Sequence, residues 1–302
     1  MVITAGIGVC AYNEEKNIGQ LLERLTRQRV LQPFDLREIV VVASGCTDST
    51  EDIVREWTRR DKRIRLISEP TRTGKSHAVN LLLKSIKSDI FIMENADTLP
   101  ENDLTINRLL QPFLDAGVGM AGGRPVPTNG FDTVAGFVNN LIWELHHQVS
   151  LNDPKMSELL AIRIQLVREI PTDSAVDDAA IEALASRSNK KYVPDAIVLN
   201  RGPESLGGIF KQRKRICIGH AHLRQTQHYT VSTMKVSKTF GPLLQTIRVI
   251  KAKTRFGVTG YFKVLLAILL ESYARLSANF DFSVKGANPY KWEILETTKA
   301  VR

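Results

Sequence analysis

The sequence predicts an α/β protein with a doubly wound, mixed but mostly parallel sheet flanked by helices and a helical appendage at the C-terminal end. Stretches of strand and helix character alternate along residues 2–93, and each strand is followed by a polar loop. Some strands, such as residues 39–42, are apolar throughout, as expected when helices cover both faces of a sheet. In such sheets ligands bind beyond the carboxyl ends of the strands.

The elements follow in a regular order. Asn13 is a suitable N-cap for the first helix, and Asp177 and Asp178 precede a helix that is expected to bury Ile181, Leu184 and Ala185. Right-handed crossovers make the first four strands parallel. Strands are predicted at residues 2–10, 36–44, 64–68, 89–93, 118–124 and 192–199, and helices at residues 14–28, 49–60, 75–86, 101–110 and 131–151.

Composition limits the class of protein. A chain of 302 residues with 43% apolar and 24% charged residues suits one large domain with an appendage, and we place the division between residues 1–230 and 231–302. Three distant cysteines give neither a disulfide framework nor a zinc site, which predicts a reduced, cytoplasmic setting. No basic segment precedes the first apolar run, and no run reaches about 18 apolar residues, so we expect neither a signal peptide nor a membrane span.

The net charge of +9 is unevenly distributed. Residues 205–270 contain no acidic side chain and many basic ones. Such a block is either a solvated basic face or a surface for an anionic partner, namely nucleic acid, a diphosphate-bearing substrate or an acidic membrane. Its basic residues are Lys211, Arg213, Lys214, Arg215, Arg224, Lys235, Lys238, Arg248, Lys251, Lys253, Arg255 and Lys263.

Acidic and amide side chains follow the fourth strand. Asn95 and Asp97, two residues apart, could both turn toward one point and offer oxygen ligands to Mg²⁺ or Mn²⁺. Alternatively, Asp97 and Thr98 could cap the helix that Pro100 suggests. The residues alone leave both interpretations open.

Two phosphate-binding motifs can be excluded. Thr73-Gly74-Lys75-Ser76 ends like a phosphate loop, but Glu69 stands where that motif requires its first glycine. No G-x-G-x-x-G follows the first strand. Lys75 at a helix start could still meet a phosphate, or it could be an ordinary surface lysine.

Four loops, taken together and in order, resemble those of family 2 glycosyltransferases with the GT-A fold. They are Ala11-Tyr12-Asn13-Glu14-Glu15, Ala43-Ser44-Gly45-Cys46-Thr47-Asp48, Gly74-Lys75 and Asn95-Ala96-Asp97. The resemblance covers residues 2–225. It implies a sugar donor linked to a nucleotide diphosphate, UDP or GDP, and it favours the metal interpretation of Asp97.

The resemblance also implies roles for individual residues. Base and ribose would lie against Ala11, Tyr12, Glu14 and Ser44, with Lys75 near the nucleotide. A divalent ion, Mn²⁺ or Mg²⁺, would bridge Asp97 and the diphosphate. The chain departs from the family where Asn95 replaces the first carboxylate of D-x-D, because an amide ligates weakly and brings no charge. Glu94 is a further candidate ligand that has no counterpart in the family.

On the acceptor side, Asp178 matches the family's general base, which implies displacement with inversion at the anomeric carbon. Alternatively, Asp177 and Asp178 could form a double-Asp N-cap of the helix that follows them. Gln212 and Arg215 match the Q-x-x-R-W element, with Ile216 in place of tryptophan. Arg213 and Arg215 could neutralise the departing diphosphate. His220 is either a third metal ligand or a structural histidine.

His146 and His147 could line the acceptor site, but adjacent residues face different ways on a helix, so the simpler interpretation has one in the core and one exposed. The basic segment before residues 258–270 suits a helix in the membrane interface, a helix buried on the catalytic domain or a dimer contact.

The expected protein is therefore an inverting, metal-dependent glycosyltransferase that uses a glycan or lipid-linked acceptor of the cell envelope. It would be cytoplasmic and in peripheral contact with the inner face of the cell membrane. No nucleic-acid partner is expected, since no binding motif accompanies the basic block. The alternatives are a non-catalytic sugar-nucleotide-binding relative and a basic nucleic-acid-binding protein.

Overall fold

The structure is a computed structural model that describes residues 2–290. Its strands form one eight-stranded sheet in the order β3-β2-β1-β4-β7-β6-β8-β5. The strands are β1 (Ile3–Ala11), β2 (Phe34–Ser44), β3 (Ile64–Glu69), β4 (Ile90–Asn95), β5 (Thr98–Pro100), β6 (Val118–Pro127), β7 (Leu159–Arg163) and β8 (Asn189–Asn200).

Helices cover both faces of this sheet. Short 3₁₀ turns at Gln111–Leu114, Ile164–Leu166 and Ser232–Met234 connect some of the elements. The α-helices are α1 (Ile18–Thr26), α2 (Thr50–Arg60), α3 (Lys75–Ser85), α4 (Thr105–Leu110), α5 (Val134–Ser150), α6 (Asp177–Leu184), α7 (Leu206–Gln227), α8 (Val236–Lys253) and α9 (Gly257–Lys285).

The sheet is mixed, as predicted. Strands β1 to β4 are parallel, and β6 is parallel to β8. Strand β7 lies between β4 and β6 and runs antiparallel to both. The apolar run in β2 shows why helices flank both faces: Ile39 and Val41 pack into one core cluster, and Val40 and Val42 into the other, all fully buried.

Several predicted boundaries were wrong. The first helix begins at Ile18 with Asn17 as its N-cap, because Asn13 adopts a left-handed conformation with φ of 52° and belongs to the preceding loop. Strand β5 follows Asp97 directly, so α4 begins only at Thr105. Strand β7 was missed. Leu184, predicted to face the core, is 47% exposed because it lies at the C-terminal end of α6.

The predicted appendage contains two helices within the described residues, and its residues 291–302 lie outside them. Helix α8 contacts α5, and α9 lies along α7. Ion pairs join Arg213 to Glu271 at 2.8 Å and Lys214 to Asp281 at 2.6 Å. Helix α9 extends to Lys285, well beyond the apolar run at residues 258–270, and by length and composition alone it is long and apolar enough to cross a membrane.

Candidate active site

The residues assigned to the donor, the metal and the general base line one cavity of about 1010 Å³, whereas the further candidates Glu94 and His147 lie outside its lining. It lies at the carboxyl ends of β1, β2 and β4, because parallel strands bring the loops that follow them to the same edge of the sheet. The predicted residues around it are Ala11, Tyr12, Glu14, Ser44, Lys75, Asn95, Asp97, Asp178, Arg213, Arg215 and His220.

The loops after β1 and β2 form one wall of the cavity. The guanidinium of Arg72 lies over the Tyr12 ring, 4.2 Å from its centroid, in a cation–π arrangement that the sequence did not suggest. Gly45 permits this approach, because a Cβ there would lie 2.3 Å from the backbone nitrogen of Arg72. Glu14 is buried and its carboxylate accepts a hydrogen bond from Asn17 at 2.9 Å, so at least one of its oxygens serves the loop itself.

The side chain of Asn95 is engaged at both ends. Its Oδ1 accepts a hydrogen bond from the Lys75 ammonium at 2.8 Å, and its Nδ2 donates to the carboxylate of Glu158. An ammonium only donates and a carboxylate only accepts, so these partners fix the orientation of the amide. One lone pair of the Asn95 oxygen is thus occupied by a positively charged group, and the role of Asn95 as a metal ligand stays a prediction.

Asp97 lies in the turn between β4 and β5, eight residues before α4 begins at Thr105. The helix-cap interpretation is therefore wrong. Glu94 is not part of the cavity lining: it is fully buried, accepts a hydrogen bond from Thr98 at 2.6 Å, and burial raises its pKa to about 8. It is a protonated structural carboxyl at neutral pH rather than a candidate ligand.

The sequence analysis missed Glu158, which comes immediately before β7 and lines the same cavity. Burial is the main cause that raises its pKa, to about 7, and the negative charge of Asp97 adds to it. The apolar run Leu159-Leu160-Ala161-Ile162 after a polar segment was the signal for this strand.

His220 lies on α7 and faces the same cavity. Burial, together with the positive charge of Lys155, lowers its pKa to about 3, so the imidazole is neutral at neutral pH. Its Nδ1 is buried and receives no hydrogen bond from any residue among 2–290. It thus has a nitrogen available to a ligand.

Each aspartate at the start of α6 has a lysine partner. Asp177 pairs with Lys75 at 3.0 Å, and Asp178 with Lys155 at 2.6 Å. Burial alone would raise the pKa of Asp178, but the charge and the hydrogen bond of the Lys155 ammonium, with smaller contributions from His220 and Lys75, lower that pKa to about 2. Asp178 is therefore ionised at neutral pH, and its main partner is Lys155, which the sequence did not indicate.

Both predicted histidines of α5 are buried, contrary to the expectation that one would be exposed. His146 lines the cavity, and its two nitrogens have no partner among the described residues. His147 lies outside the lining, where its Nδ1 is 2.9 Å from the hydroxyl of Tyr192. Only His146 is thus placed to meet a ligand.

The two arginines predicted to bind the diphosphate, Arg213 and Arg215, differ in their surroundings. Arg213 donates to both oxygens of Glu271 on α9, at 2.8 and 3.0 Å, so its guanidinium holds that helix rather than pointing freely at a diphosphate. Arg215 is half-buried, and the negative charges of Asp177, Glu158, Asp178 and Asp97 act on its guanidinium. It therefore adds positive charge to the part of the cavity that contains these carboxylates.

The family model for glycosyl transferase family 2 matches residues 7–165 of the chain, which include β1 to β4 and β7. The chain belongs to glycosyl transferase family 2. Membership agrees with the predicted resemblance, and the matched region contains Asp97 and Glu158 but ends before Asp178.

Two relatives of this family 2 glycosyltransferase illustrate the range of similarity. Poly-beta-1,6-N-acetyl-D-glucosamine synthase from Staphylococcus aureus is 23% identical over 247 residues, which cover 76% of this chain and 57% of the relative. Dolichyl-phosphate beta-glucosyltransferase from Trichomonas vaginalis is 33% identical over 93 residues, 30% of this chain and 28% of the relative. The chain thus spans little more than half the length of the synthase.

Solved structures show the same fold. A mannosyltransferase from Pyrobaculum calidifontis, solved with GDP-Man and Mn²⁺, superimposes with a TM-score of 0.65 at 17% identity, covering 94% of this chain and 88% of that chain. Glucosyl-3-phosphoglycerate synthase from Mycobacterium tuberculosis, solved with Mn²⁺, UDP and phosphoglyceric acid, gives 0.51 at 20% identity, covering 71% and 76%. The prediction of a GT-A fold is confirmed.

Proposed function

We propose that this protein is an inverting, metal-dependent glycosyltransferase that moves a sugar from a UDP- or GDP-linked donor to an acceptor hydroxyl. The observation that carries the proposal is one cavity in which Asp97, Glu158, Arg215 and the ionised Asp178 lie together at the carboxyl edge of the sheet. Its donor side is the wall with Ala11, Tyr12, Glu14 and Ser44, where base and ribose would bind. The relatives solved with GDP-Man or UDP support this assignment.

The residues present fit a divalent ion. Asp97 and Glu158 offer carboxylate oxygens, the ligands that Mg²⁺ and Mn²⁺ prefer, and the neutral imidazole of His220 lines the same cavity. Among residues 2–290 no three Asp, Glu, His or Cys side chains are close enough to complete a metal shell, so diphosphate oxygens would supply the rest. The ion would neutralise charge on the diphosphate as it leaves. Arg215 would add a second positive charge there.

Asp178 is the proposed general base. Lys155 keeps it ionised at neutral pH, so it can take the proton of the acceptor hydroxyl as that oxygen attacks the anomeric carbon. The bond from that carbon to the diphosphate breaks on the opposite side, which inverts the configuration. His146 lies in the same cavity and would contact the acceptor.

The part of the cavity that is lined by α5, α8 and α9 favours an acceptor with an apolar chain. Helices α5, α8 and α9 contribute apolar side chains to its lining, in contrast to the charged side chains at the sheet edge. A lipid-linked acceptor would place its polar head near Asp178 and its chain between these helices. The apolar side chains are Leu141, Ile142, Leu145, Phe240, Leu243 and Ile268.

The exposed face of α9 supports contact with a membrane surface. Phe262, Leu269 and Leu276 repeat every seven residues and are 66%, 57% and 69% exposed, so they form one apolar stripe. The exposed residues Lys251, Lys253 and Arg255 come just before it. An apolar stripe next to basic side chains matches an anionic lipid surface, which would bind both at once. In this proposal residues 1–230 are the catalytic domain and 231–302 its membrane-facing appendage.

Donor binding is tested by thermal unfolding of the wild type and Asp97→Ala with UDP- and GDP-sugars, with and without Mn²⁺. We expect one class of donor to raise the melting temperature of the wild type only when Mn²⁺ is present, and to leave Asp97→Ala unchanged. Sugar transfer to a hydroxyl of a lipid-linked acceptor, with inversion at the anomeric carbon, should follow for the same donor. Binding without any turnover would instead indicate a non-catalytic relative.

Membrane contact is tested by sedimentation with vesicles of phosphatidylglycerol and phosphatidylcholine. We expect Leu269→Glu to lose binding, while Leu114→Glu, which alters a side chain that is also 57% exposed, keeps it. Equal binding by Leu269→Glu and the wild type would contradict the proposal. Conversion of a dimer to a monomer by Leu269→Glu, with vesicle binding unchanged, would assign the stripe to a second copy of the chain.

A further inference from the structure

The chain lacks the first carboxylate of the family's metal-binding triplet, since Asn95 stands there. The structure shows what Asn95 does instead. Its amide links the Lys75 ammonium on one side to the Glu158 carboxylate on the other. The oxygen and the nitrogen of the amide thus each have a partner. The Glu158 carboxylate lies next to residue 95, where the family has an aspartate and this chain has no charge.

The register of the sheet explains why Glu158 arrives at this point. Strand β7 is antiparallel to β4, with Leu159 opposite Glu94, so the residue before Leu159 comes opposite the one after Glu94. The start of β7 therefore meets the carboxyl end of β4. An aspartate at position 95 would repel Glu158, whereas an asparagine donates a hydrogen bond to it.

Asp97 and Glu158 form a like-charged group within this cavity. Both line it, and the charge of Asp97 is the largest that acts on Glu158. Within residues 2–290 neither of them is held in an ion pair, whereas Asp177 and Asp178 each have a lysine. His220 adds a buried Nδ1 that has no partner in the described part of the chain. A divalent cation bound by the two carboxylates would relieve the repulsion between them.

We propose that Glu158, held by Asn95, supplies the second carboxylate of the metal site and replaces the acid that the triplet lacks. This inference rests on the proposed function, because it concerns the ion that would bridge Asp97 and the diphosphate. The site would then have carboxylates from two different strands, β4 and β7, rather than from one turn. Glu158 would be a ligand to the cation, and Asn95 the residue that positions Glu158.

The test is a calorimetric titration of Mn²⁺ into the protein with saturating UDP or GDP, whichever stabilises the wild type. Glu158→Gln should weaken Mn²⁺ binding about tenfold to a hundredfold, while Asp178→Asn, which removes a carboxylate charge from the same cavity, should change it less than about twofold. The exchange variant Asn95→Asp with Glu158→Gln keeps one acid, one amide and a hydrogen bond between them. It should recover most of the affinity.

The outcomes distinguish a failure of the Glu158 assignment from a failure of the proposed function. If the wild type binds Mn²⁺ and Asp97→Ala does not, but Glu158→Gln binds as the wild type does, the Glu158 assignment is overturned and the proposed function stands. Equal weakening of Mn²⁺ binding by Glu158→Gln and Asp178→Asn would show a general effect of negative charge and would also overturn the Glu158 assignment. An exchange variant that folds but still binds Mn²⁺ weakly would overturn it as well. A wild type without metal-dependent nucleotide binding would overturn both proposals.

Discussion

The cavity contains two pairs of carboxylates that differ in their partners. Asp177 and Asp178, at the start of α6, each form an ion pair with a lysine, at 3.0 and 2.6 Å. Asp97 and Glu158, at the ends of β4 and β7, repel each other, and no lysine or arginine among residues 2–290 forms an ion pair with either. The first pair is compensated by ion pairs and suits proton transfer, whereas the second has the charges of Arg215 and Lys75 nearby but no ion pair among the described residues, which leaves room for a divalent cation.

The largest expected effect concerns Asp178. Asp178→Asn removes the proposed base, so turnover should fall about 10²–10⁴-fold while the donor dissociation constant stays within about twofold of the wild type. Single-turnover kinetics with saturating donor would measure the first value and calorimetry the second. Asp173→Asn, an isosteric change on the loop before α6, is the control and should leave both unchanged. Normal turnover by Asp178→Asn would remove Asp178 from the mechanism.

A smaller effect is expected at Lys155, which lowers the pKa of Asp178. In the wild type Asp178 is ionised down to about pH 2, so it should cause no loss of activity between pH 5 and 8. In Lys155→Met burial acts without this opposing charge and raises the pKa of Asp178, so activity should decline as pH falls through that higher value. Each unit of the shift costs about tenfold in the ionised fraction below it.

The pH profile of transfer measures this shift. Lys214→Met removes another lysine–aspartate pair with the same separation of 2.6 Å and is the control. Its profile should match that of the wild type. An unchanged profile for Lys155→Met would show that Lys155 does not set the ionisation of Asp178, and the two carboxylate pairs would then differ less than the structure indicates.

The smallest effect on chemistry is expected at Arg213, which pairs with Glu271 and thereby joins α7 to α9. Arg213→Met should lower the free energy of unfolding by about 1.5–3 kcal/mol, through loss of charged hydrogen bonds, and leave the donor KM within about twofold. Urea denaturation measures the stability. A large rise in the donor KM with normal stability would instead support the role predicted from the sequence, in which Arg213 neutralises the departing diphosphate.

The sequence predicted the parallel part of the fold well because local signals are strong there. Residues 39–42 are apolar throughout, and polar loops follow each of the first four strands. It did not predict that β5 follows Asp97 or that β7 lies between β4 and β6, because a three-residue strand and an antiparallel insertion depend on pairing between distant segments.

The same limit applies to the site. The loops after β1, β2 and β4 could be assigned to one edge from the order of strands alone. The partners of Asn95 and Asp178 could not, because Glu158 and Lys155 lie 63 and 23 residues away and share no motif with them. The sequence thus identified many of the residues that line the cavity, but it did not indicate Glu158 or Lys155 or show which side chains neutralise one another.

The measurement that tests the account most directly is the phosphorus hyperfine coupling of Mn²⁺ bound with UDP or GDP, observed by pulsed electron–nuclear double resonance. We predict ³¹P coupling in the wild type and in Asp178→Asn, because the ion would lie between the diphosphate and the pair without lysines. Asp97→Ala, freed of unbound Mn²⁺ and nucleotide by gel filtration like the other samples, should retain no Mn²⁺ and show no ³¹P coupling. Coupling that persists in Asp97→Ala but disappears in Asp178→Asn would contradict the division of roles between the two pairs.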